Sequence, residues 1–356
     1  MSTISTGASN TNEPPSFFSS LPNDLVLNVL ACVPRRYYPI LTCVSKKFRS
    51  LVRSSELHET RSRLGKNSFY VCFREYDEDD GPSSTYHWFS LIENRLVSVP
   101  FPSQPDPYSA ALMVGPEIYF VGGHISHVSI SSSMWILDSR SGKLREGPNT
   151  LVARRFTGAG LVDDKIYLFG GHDKEDEEIQ AEVFDTKTQT WDVAPNPKMK
   201  REWLRMSGIS PSLDRKIYAR NVTGQVIVYD PRDGTCEKID VPNNDDGHCS
   251  KDVVVIENVL YIFKSSFGLM WYDSKEKVWR VVNGLKLGKR SASKVAMAEY
   301  NGKLAFLWHD RMKKEIWCVM ITLERSGVEI TGKVEWFGRV LSVPDDYRIM
   351  HCLNEG

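Results

Sequence analysis

A tyrosine returns along most of this chain at nearly constant intervals. It sits in a short hydrophobic run at Tyr70, Tyr119, Tyr167, Tyr218 and Tyr261, and Ala305 takes the same place in Lys303-Leu304-Ala305-Phe306-Leu307-Trp308. The spacings are 49, 48, 51, 43 and 44 residues. A second landmark keeps the same step. An apolar residue precedes Asp at Leu137-Asp138, Phe184-Asp185, Tyr229-Asp230 and Tyr272-Asp273, and Leu144, Trp191, Cys236 and Trp279 follow six residues after each Asp. Two independent landmarks on one period mark a repeated supersecondary unit. Short β-rich runs punctuated by Gly, Pro, Asn and Asp fill the repeats. In the third repeat they predict four strands, Gly158–Val162, Lys165–Gly170, Glu182–Asp185 and Thr190–Val193. The Asp-Thr-Lys-Thr-Gln segment between the last two has hairpin chemistry, because an Asp carboxylate accepts nearby backbone N–H groups and starts the turn. Trp191 then returns to pack between neighbouring sheets. Such a unit has an apolar face that only another unit can cover, which is the physical reason such units close into rings.

Two repeats carry paired glycines, in Ile118-Tyr119-Phe120-Val121-Gly122-Gly123 and Ile166-Tyr167-Leu168-Phe169-Gly170-Gly171. Glycines are needed where a strand ends, backbones crowd and φ turns positive. These runs resemble the kelch signature. With the period near 48 residues, the resemblance implies a mainly β fold, a kelch-type β-propeller with six expected blades. Arg220-Asn221 and Lys264-Ser265 stand where other repeats have the glycines, so those blades are degenerate. The first repeat lacks a strand before Phe69–Arg74, while an orphan run, Arg348-Ile349-Met350-His351-Cys352-Leu353, follows the last repeat. An open ring would leave unpaired edges, so this run is expected to supply the missing inner strand of blade one.

The region from Leu21 to Leu57 follows a different period. Leu21, Leu25, Val29 and Val33 recur every four residues, with Val26 and Leu30 beside them, which is helical spacing. Pro22 suits a first helical turn, and Pro34 ends the helix. A second stripe is Leu41, Val44, Phe48, Leu51 and Val52, with Ser45, Lys46, Lys47 and Arg49 on the wet face. A segment of about 40 residues cannot bury much surface alone. Its leftover apolar side packs either on the larger domain or on a partner. Leu21-Pro22-Asn23-Asp24-Leu25, Val29-Leu30, Val33-Pro34 and Cys43-Val44-Ser45-Lys46-Lys47-Phe48-Arg49-Ser50-Leu51-Val52 closely resemble the F-box. Phe48 stands where many members have Trp. The resemblance implies a small α-helical domain over residues 16–62, after a disordered tail at 1–15 and before a propeller at 66–356. It implies that Leu21, Pro22, Leu25, Val29, Val44, Phe48 and Leu51 contact a Skp adaptor and, through it, a cullin.

The two resemblances together imply the substrate-recognition subunit of an SCF-type ubiquitin ligase. The propeller would bind an unknown target protein, with no catalytic residue and no cofactor. No nucleophile elbow, P-loop, Rossmann fingerprint or metal-ligand spacing interrupts that reading. A propeller enzyme, such as a copper oxidase, would need a Tyr/Cys/His constellation and an export route. A ligase-independent scaffold would bind the adaptor without target turnover. With 45 acidic and 45 basic residues the chain is formally neutral, which argues against nucleic acid as a partner. No apolar stretch approaches the roughly 20 residues that span a membrane. Met1 to Glu13 lacks the apolar segment of a secretory signal. Seven scattered cysteines without pairing or zinc spacing read as reduced thiols, so a cytoplasmic or nuclear location is expected.

Target contact is expected on the face where the loop after each second strand meets the segment between blades. Basic residues precede the inner strands there, at Arg154-Arg155, Arg201, Arg205 and Lys289-Arg290, with Tyr108 and His248 in comparable places. Tyr108, Arg154, Arg155, Arg205, His248 and Arg290 are the candidate substrate contacts, since arginine grips carboxylates through two N–H groups. The alternative is that such residues serve packing. Two acidic runs, Glu75-Tyr76-Asp77-Glu78-Asp79-Asp80 and Asp173-Lys174-Glu175-Asp176-Glu177-Glu178, lie on the same face. His124 and His172 follow the glycines in equivalent positions on different blades, and metal binding by them is not expected.

Overall fold

The computed structural model describes residues 21–76, 84–103, 109–124, 129–171, 178–200, 204–207, 210–242, 252–287, 295–344 and 347–355. The chain divides into two compact units, residues 1–66 and 67–356. The first holds helices α1 (Asn23–Cys32), α2 (Tyr38–Val44), α3 (Lys46–Val52) and α4 (Ser55–Arg63), with a 3₁₀ turn at Arg35–Tyr37. Pro22 stands at the N-cap of α1 rather than inside its first turn, and α1 ends at Cys32, two residues before Pro34. The second apolar stripe is not one helix. Ser45 is extended, and its hydroxyl accepts the Phe48 N–H at 3.1 Å. It thus caps α3 and breaks the run that hydrophobic spacing alone had joined.

The second unit is a ring of six antiparallel sheets. Blade one comprises β1 (Phe69–Tyr76), β2 (Ser84–Ile92) and β3 (Arg95–Val99). Blade two is β4 (Ala110–Val114), β5 (Glu117–Val121), β6 (Met134–Asp138) and β7 (Lys143–Glu146). Blade three is β8 (Gly158–Val162), β9 (Lys165–Phe169), β10 (Ala181–Asp185) and β11 (Thr190–Val193). In blade four, β12 (Met206–Ser207) and β13 (Ser212–Leu213) share the inner position beside β14 (Lys216–Asn221), followed by β15 (Val226–Tyr229) and β16 (Cys236–Ile239). The split falls at Pro211, which has no N–H to give a ladder. Blade five is β17 (Val254–Ile256), β18 (Val259–Lys264), β19 (Gly268–Asp273) and β20 (Val278–Val281). Blade six is β21 (Val295–Tyr300), β22 (Lys303–Asp310), β23 (Glu315–Ser326) and β24 (Glu329–Ser342). Finally β25 (Arg348–Asn354) pairs antiparallel with β1, setting Leu353 opposite Tyr70 and Cys352 opposite Val71. It is the inner strand of blade one. The Glu355 N–H donates to the Ser68 carbonyl at 3.0 Å, and the fully buried Glu355 carboxylate accepts the Ser68 N–H at 3.3 Å.

The apolar core lies between blades, in one cluster at each junction. Strand alternation makes this possible. In β1, Phe69, Val71 and Phe73 face blade six, while Tyr70 and Cys72 face blade two. In β9, Ile166 and Leu168 face blade two, while Tyr167 and Phe169 face blade four. The repeated tyrosine always turns toward the following blade, and the residue six after the repeated Asp always turns toward the preceding one. Tyr70 thus meets the cluster of Leu144, Tyr119 that of Trp191, Tyr167 that of Cys236 and Tyr218 that of Trp279. The sequence period is therefore the period of the junctions. Each fully buried large side chain contributes about 1.5–3 kcal/mol relative to exposure.

Local chemistry supports the same repeat. Asp163-Asp164, Asp214-Arg215 and Glu257-Asn258 all have positive φ, as type I′ hairpin turns require. Each repeated Asp anchors the hairpin between a blade's last two strands. The Asp185 carboxylate accepts the Lys187 and Thr188 N–H groups at 2.9 and 3.2 Å, and the Asp230 carboxylate accepts the Arg232 N–H at 3.1 Å. At the axis, the inner strands enclose a cavity of about 370 Å³ walled largely by aliphatic side chains such as Leu112, Leu161, Val253 and Leu353.

Two outcomes follow for stability. Deleting residues 346–356 exposes the edge of β1, and the melting temperature should fall by more than about 10 °C, since each kcal/mol is worth about 2–4 °C in a domain of this size; an unchanged melt would refute closure by β25. The Arg232 guanidinium holds the Asp230 carboxyl down at about 2. A depressed folded-state pKa gives stability that is complete above about pH 4, the unfolded value, and is lost as the pH falls through the folded one. Asp230→Asn should therefore flatten the fall of melting temperature between about pH 4 and pH 2 relative to wild type.

Candidate functional site

In the helical unit a small core gathers Val26, Leu30, Ala31, Tyr38, Val52 and Leu57. Arg61 of α4 closes it. Its guanidinium donates to the Ala31 and Val33 carbonyls at 2.7 and 3.0 Å and to the Tyr38 hydroxyl at 3.2 Å, and that hydroxyl donates to the Leu30 carbonyl at 3.0 Å. A cation therefore meets the carbonyls that the end of α1 leaves unpaired, where the helix dipole favours positive charge. Sequence periodicity gave no sign of this contact, because Arg61 reads as a surface residue.

Once that core is closed, apolar residues remain outside it. Leu25 and Val29 of α1 are each 47% exposed, and Ile40 and Val44 of α2 are 64% and 63% exposed. Each pair is spaced four apart, so each lies on one helix face. Pro22 is exposed as well. Leu21, Phe48 and Leu51 are half-buried against the core, and Lys47 Nζ donates to the Leu21 carbonyl at 3.4 Å, tying α3 to the start of α1. Ile40 was not among the sequence candidates; its spacing from Val44 was the available signal.

In the ring, the loop after a blade's second strand meets the segment leading to the next blade. The paired glycines make the contact. Gly122 and Gly170 have φ of 65° and 68°, and a methyl group on them would lie 2.3 Å from the Arg154 carbonyl oxygen and 2.2 Å from that of Leu204. The next glycine uses the closeness: Gly123 and Gly171 donate their N–H to those same carbonyls at 2.8 and 2.9 Å.

Arg154 is the correction here. Its side chain is fully buried, and its Nε pairs with the equally buried Glu182 carboxylate at 2.6 Å. Its other nitrogens donate to the Gly170, Gln180 and Ile179 carbonyls at 2.7, 3.2 and 3.1 Å. The second Glu182 oxygen accepts the Leu151 N–H at 2.6 Å. Arg154 therefore holds the loop of blade three and cannot reach a target. Arg155 is half-buried and Arg205 exposed, and both stack on Phe156, with guanidinium carbons 5.9 and 5.6 Å from the ring centroid. The His124 ring meets Phe156 edge-on at 6.2 Å. The structure thus brings together two sequence candidates and His124 around a phenylalanine that sequence reasoning passed over. Tyr108, His248 and Arg290 lie outside the described residues, as do Arg201, Lys289, His172 and most of the two acidic runs. Among the described residues, no three His, Cys, Asp or Glu side chains gather as a metal site would require, and no helix is long and apolar enough to cross a membrane.

Comparison with known proteins agrees with these two units. The F-box domain family matches residues 18–60, and the FKB95 kelch-repeats domain matches residues 69–341. The chain belongs to the F-box/kelch-repeat family. One F-box/kelch-repeat protein of Arabidopsis thaliana is 56% identical, over 95% of this chain and 96% of its own length. Two others from that plant are 45% and 44% identical, covering 96% and 95% of this chain and 94% and 92% of themselves. F-box/kelch-repeat proteins are in general substrate receptors of SCF-type ligases, and typically adaptors rather than enzymes.

Arginines 154 and 205 should separate in a thermal melt. Arg154→Ala leaves the buried Glu182 carboxylate without its cation, with the Leu151 N–H still donating to it, and should cost about 3–5 kcal/mol, whereas Arg205→Ala should change stability by less than about 0.5 kcal/mol. Equal losses would contradict the framework role of Arg154.

Proposed function

We propose that this chain is the substrate-recognition subunit of an SCF-type ubiquitin ligase. Its F-box binds a Skp adaptor, and through it a cullin, while its propeller holds a target protein for ubiquitin transfer by a separate enzyme. The observation that carries the adaptor half is a group of aliphatic side chains left exposed on the helical unit: Leu25 and Val29 on α1, Ile40 and Val44 on α2. Isolated exposed apolar residues are ordinary, but paired large ones on two short helices of one small unit suit a protein interface. Leu21, Pro22, Phe48 and Leu51 complete the proposed contact set, the half-buried three also setting the position of the exposed ones. Assembly with a cullin ligase suits a cytoplasmic or nuclear location.

The test uses the full chain with Leu25→Asp and Val44→Asp together. Both side chains are exposed, so the melting temperature should hold, while affinity for a purified Skp adaptor should drop by at least about 100-fold, since burying a carboxylate without a partner is costly. Full adaptor binding by the double variant would sink the proposed interface.

A further inference from the structure

The axial cavity has no part in the receptor reading. It holds about 370 Å³, and every blade contributes to its wall through the inner strands β4, β8, β13, β17, β21 and β25. A cavity of that size suits a small molecule. Each inner strand stands at the end of its sheet, so among the described residues its inner edge offers the axis backbone carbonyls and N–H groups that no further strand pairs. Between those edges the wall is largely aliphatic. Met113, Leu161 and Val255, from blades two, three and five, line it and are each only half-buried although they lie on inner strands.

Among the described residues a single charged side chain lines this wall, Glu299 of β21. Its carboxylate accepts the Gly302 N–H at 2.6 Å and an N–H of the Asn354 side chain. Both donors are neutral, so they orient the carboxylate and leave its negative charge in place. A carboxylate has room for about four hydrogen bonds, and these two use half of it. The strands that wall the cavity run on into turns that add to the charge: Asp214 follows β13 and Glu257 follows β17, and both are exposed. Basic residues of the same turns are drawn to other carboxylates. Arg215 pairs with Asp163, Lys165 with Asp185 and Lys303 with Glu335, and Lys216 helps hold the Asp230 carboxyl down. Apolar walls concentrate the field of a charge between them. An aliphatic wall that ends at one carboxylate therefore selects a hydrocarbon body with a positive head.

We infer that the axial cavity is a binding site for a small aliphatic ammonium ion. The ammonium sits against the Glu299 carboxylate and gives its remaining N–H groups to strand-edge carbonyls, since an ammonium carries three donors and no acceptor. Its hydrocarbon body lies along Met113, Leu161 and Val255. The lining residues come just before the turns that join the first two strands of each blade, as Leu161 does before Asp163-Asp164, whereas the paired glycines Gly170-Gly171 follow the far end of β9. The site is therefore separate from the face expected to meet a target, and the inference does not rest on the receptor reading.

The experiment titrates the purified full chain with 1-hexylamine, which is protonated near neutral pH, beside 1-hexanol and hexanoate, which share its hydrocarbon body and differ in the head. Binding is followed by saturation-transfer NMR and by thermal shift. Hexylammonium should bind with a Kd of about 1 mM or tighter, the range open to a ligand this small. Hexanol and hexanoate should bind at least about tenfold more weakly, the loss of a charge-assisted contact. Glu299→Gln keeps the size of the side chain and removes its charge. It should bring hexylammonium down to the level of hexanol and leave hexanol unchanged. Val255→Phe and Leu161→Phe direct their extra volume into the cavity and should each weaken the amine and the alcohol alike, with melts of the ligand-free variants showing that they are folded. The head-group comparison and Glu299→Gln stand even if neither phenylalanine variant folds. No binding of hexylammonium up to about 10 mM, equal affinities for the three heads, a preference that survives Glu299→Gln, or affinity untouched by a folded phenylalanine variant would each overturn the inference.

Discussion

Every blade of this ring has two apolar faces, and only another blade can cover each of them. That constraint governs the rest of the propeller. It explains why strands such as β1 and β9 are buried on alternate sides, and why the core is divided among the junctions. It also explains why β25 must return to β1. A sheet left uncovered would expose large side chains and a row of unpaired backbone groups together.

The same constraint made the fold legible in the sequence. The tyrosine and the residue after the hairpin Asp keep one period because they are the two halves of each junction, and a junction tolerates little change of shape. The four strands of blade three could be read almost to the residue, since Asp185 and Gly170 mark their ends by turn chemistry. Degenerate blades were legible too, because the junction residues survive where the glycines do not. Buried Arg220 and Lys264 occupy those places, and Lys264 Nζ donates to the Pro242 carbonyl at 2.5 Å. The helical unit was harder to read. Hydrophobic spacing runs through Ser45, while the cap that breaks it depends on one hydroxyl. Arg61 joins residues thirty positions away, a distance over which no local pattern speaks.

The surface of the propeller was legible only in part, and for an instructive reason. Arg154 and Arg155 are neighbours of one residue type, yet one is entombed with Glu182 and the other stacks near solvent. Adjacent side chains in an extended segment point to opposite sides, so composition alone cannot tell framework from contact. What separates them is Glu182, twenty-eight residues later in sequence. Phe156 escaped notice because Arg205 and His124, which gather around it, lie far from it in sequence.

The seam between β1 and β25 joins Tyr70 to Leu353, whereas other neighbouring strands of the ring are joined through turns and short loops. Bringing such distant partners together is entropically slow, and it comes after most local hairpins can form. With β25 undocked, the ring would be an open horseshoe with two uncovered edges. Those edges match each other, and so they would also match the edges of any second copy opened in the same way.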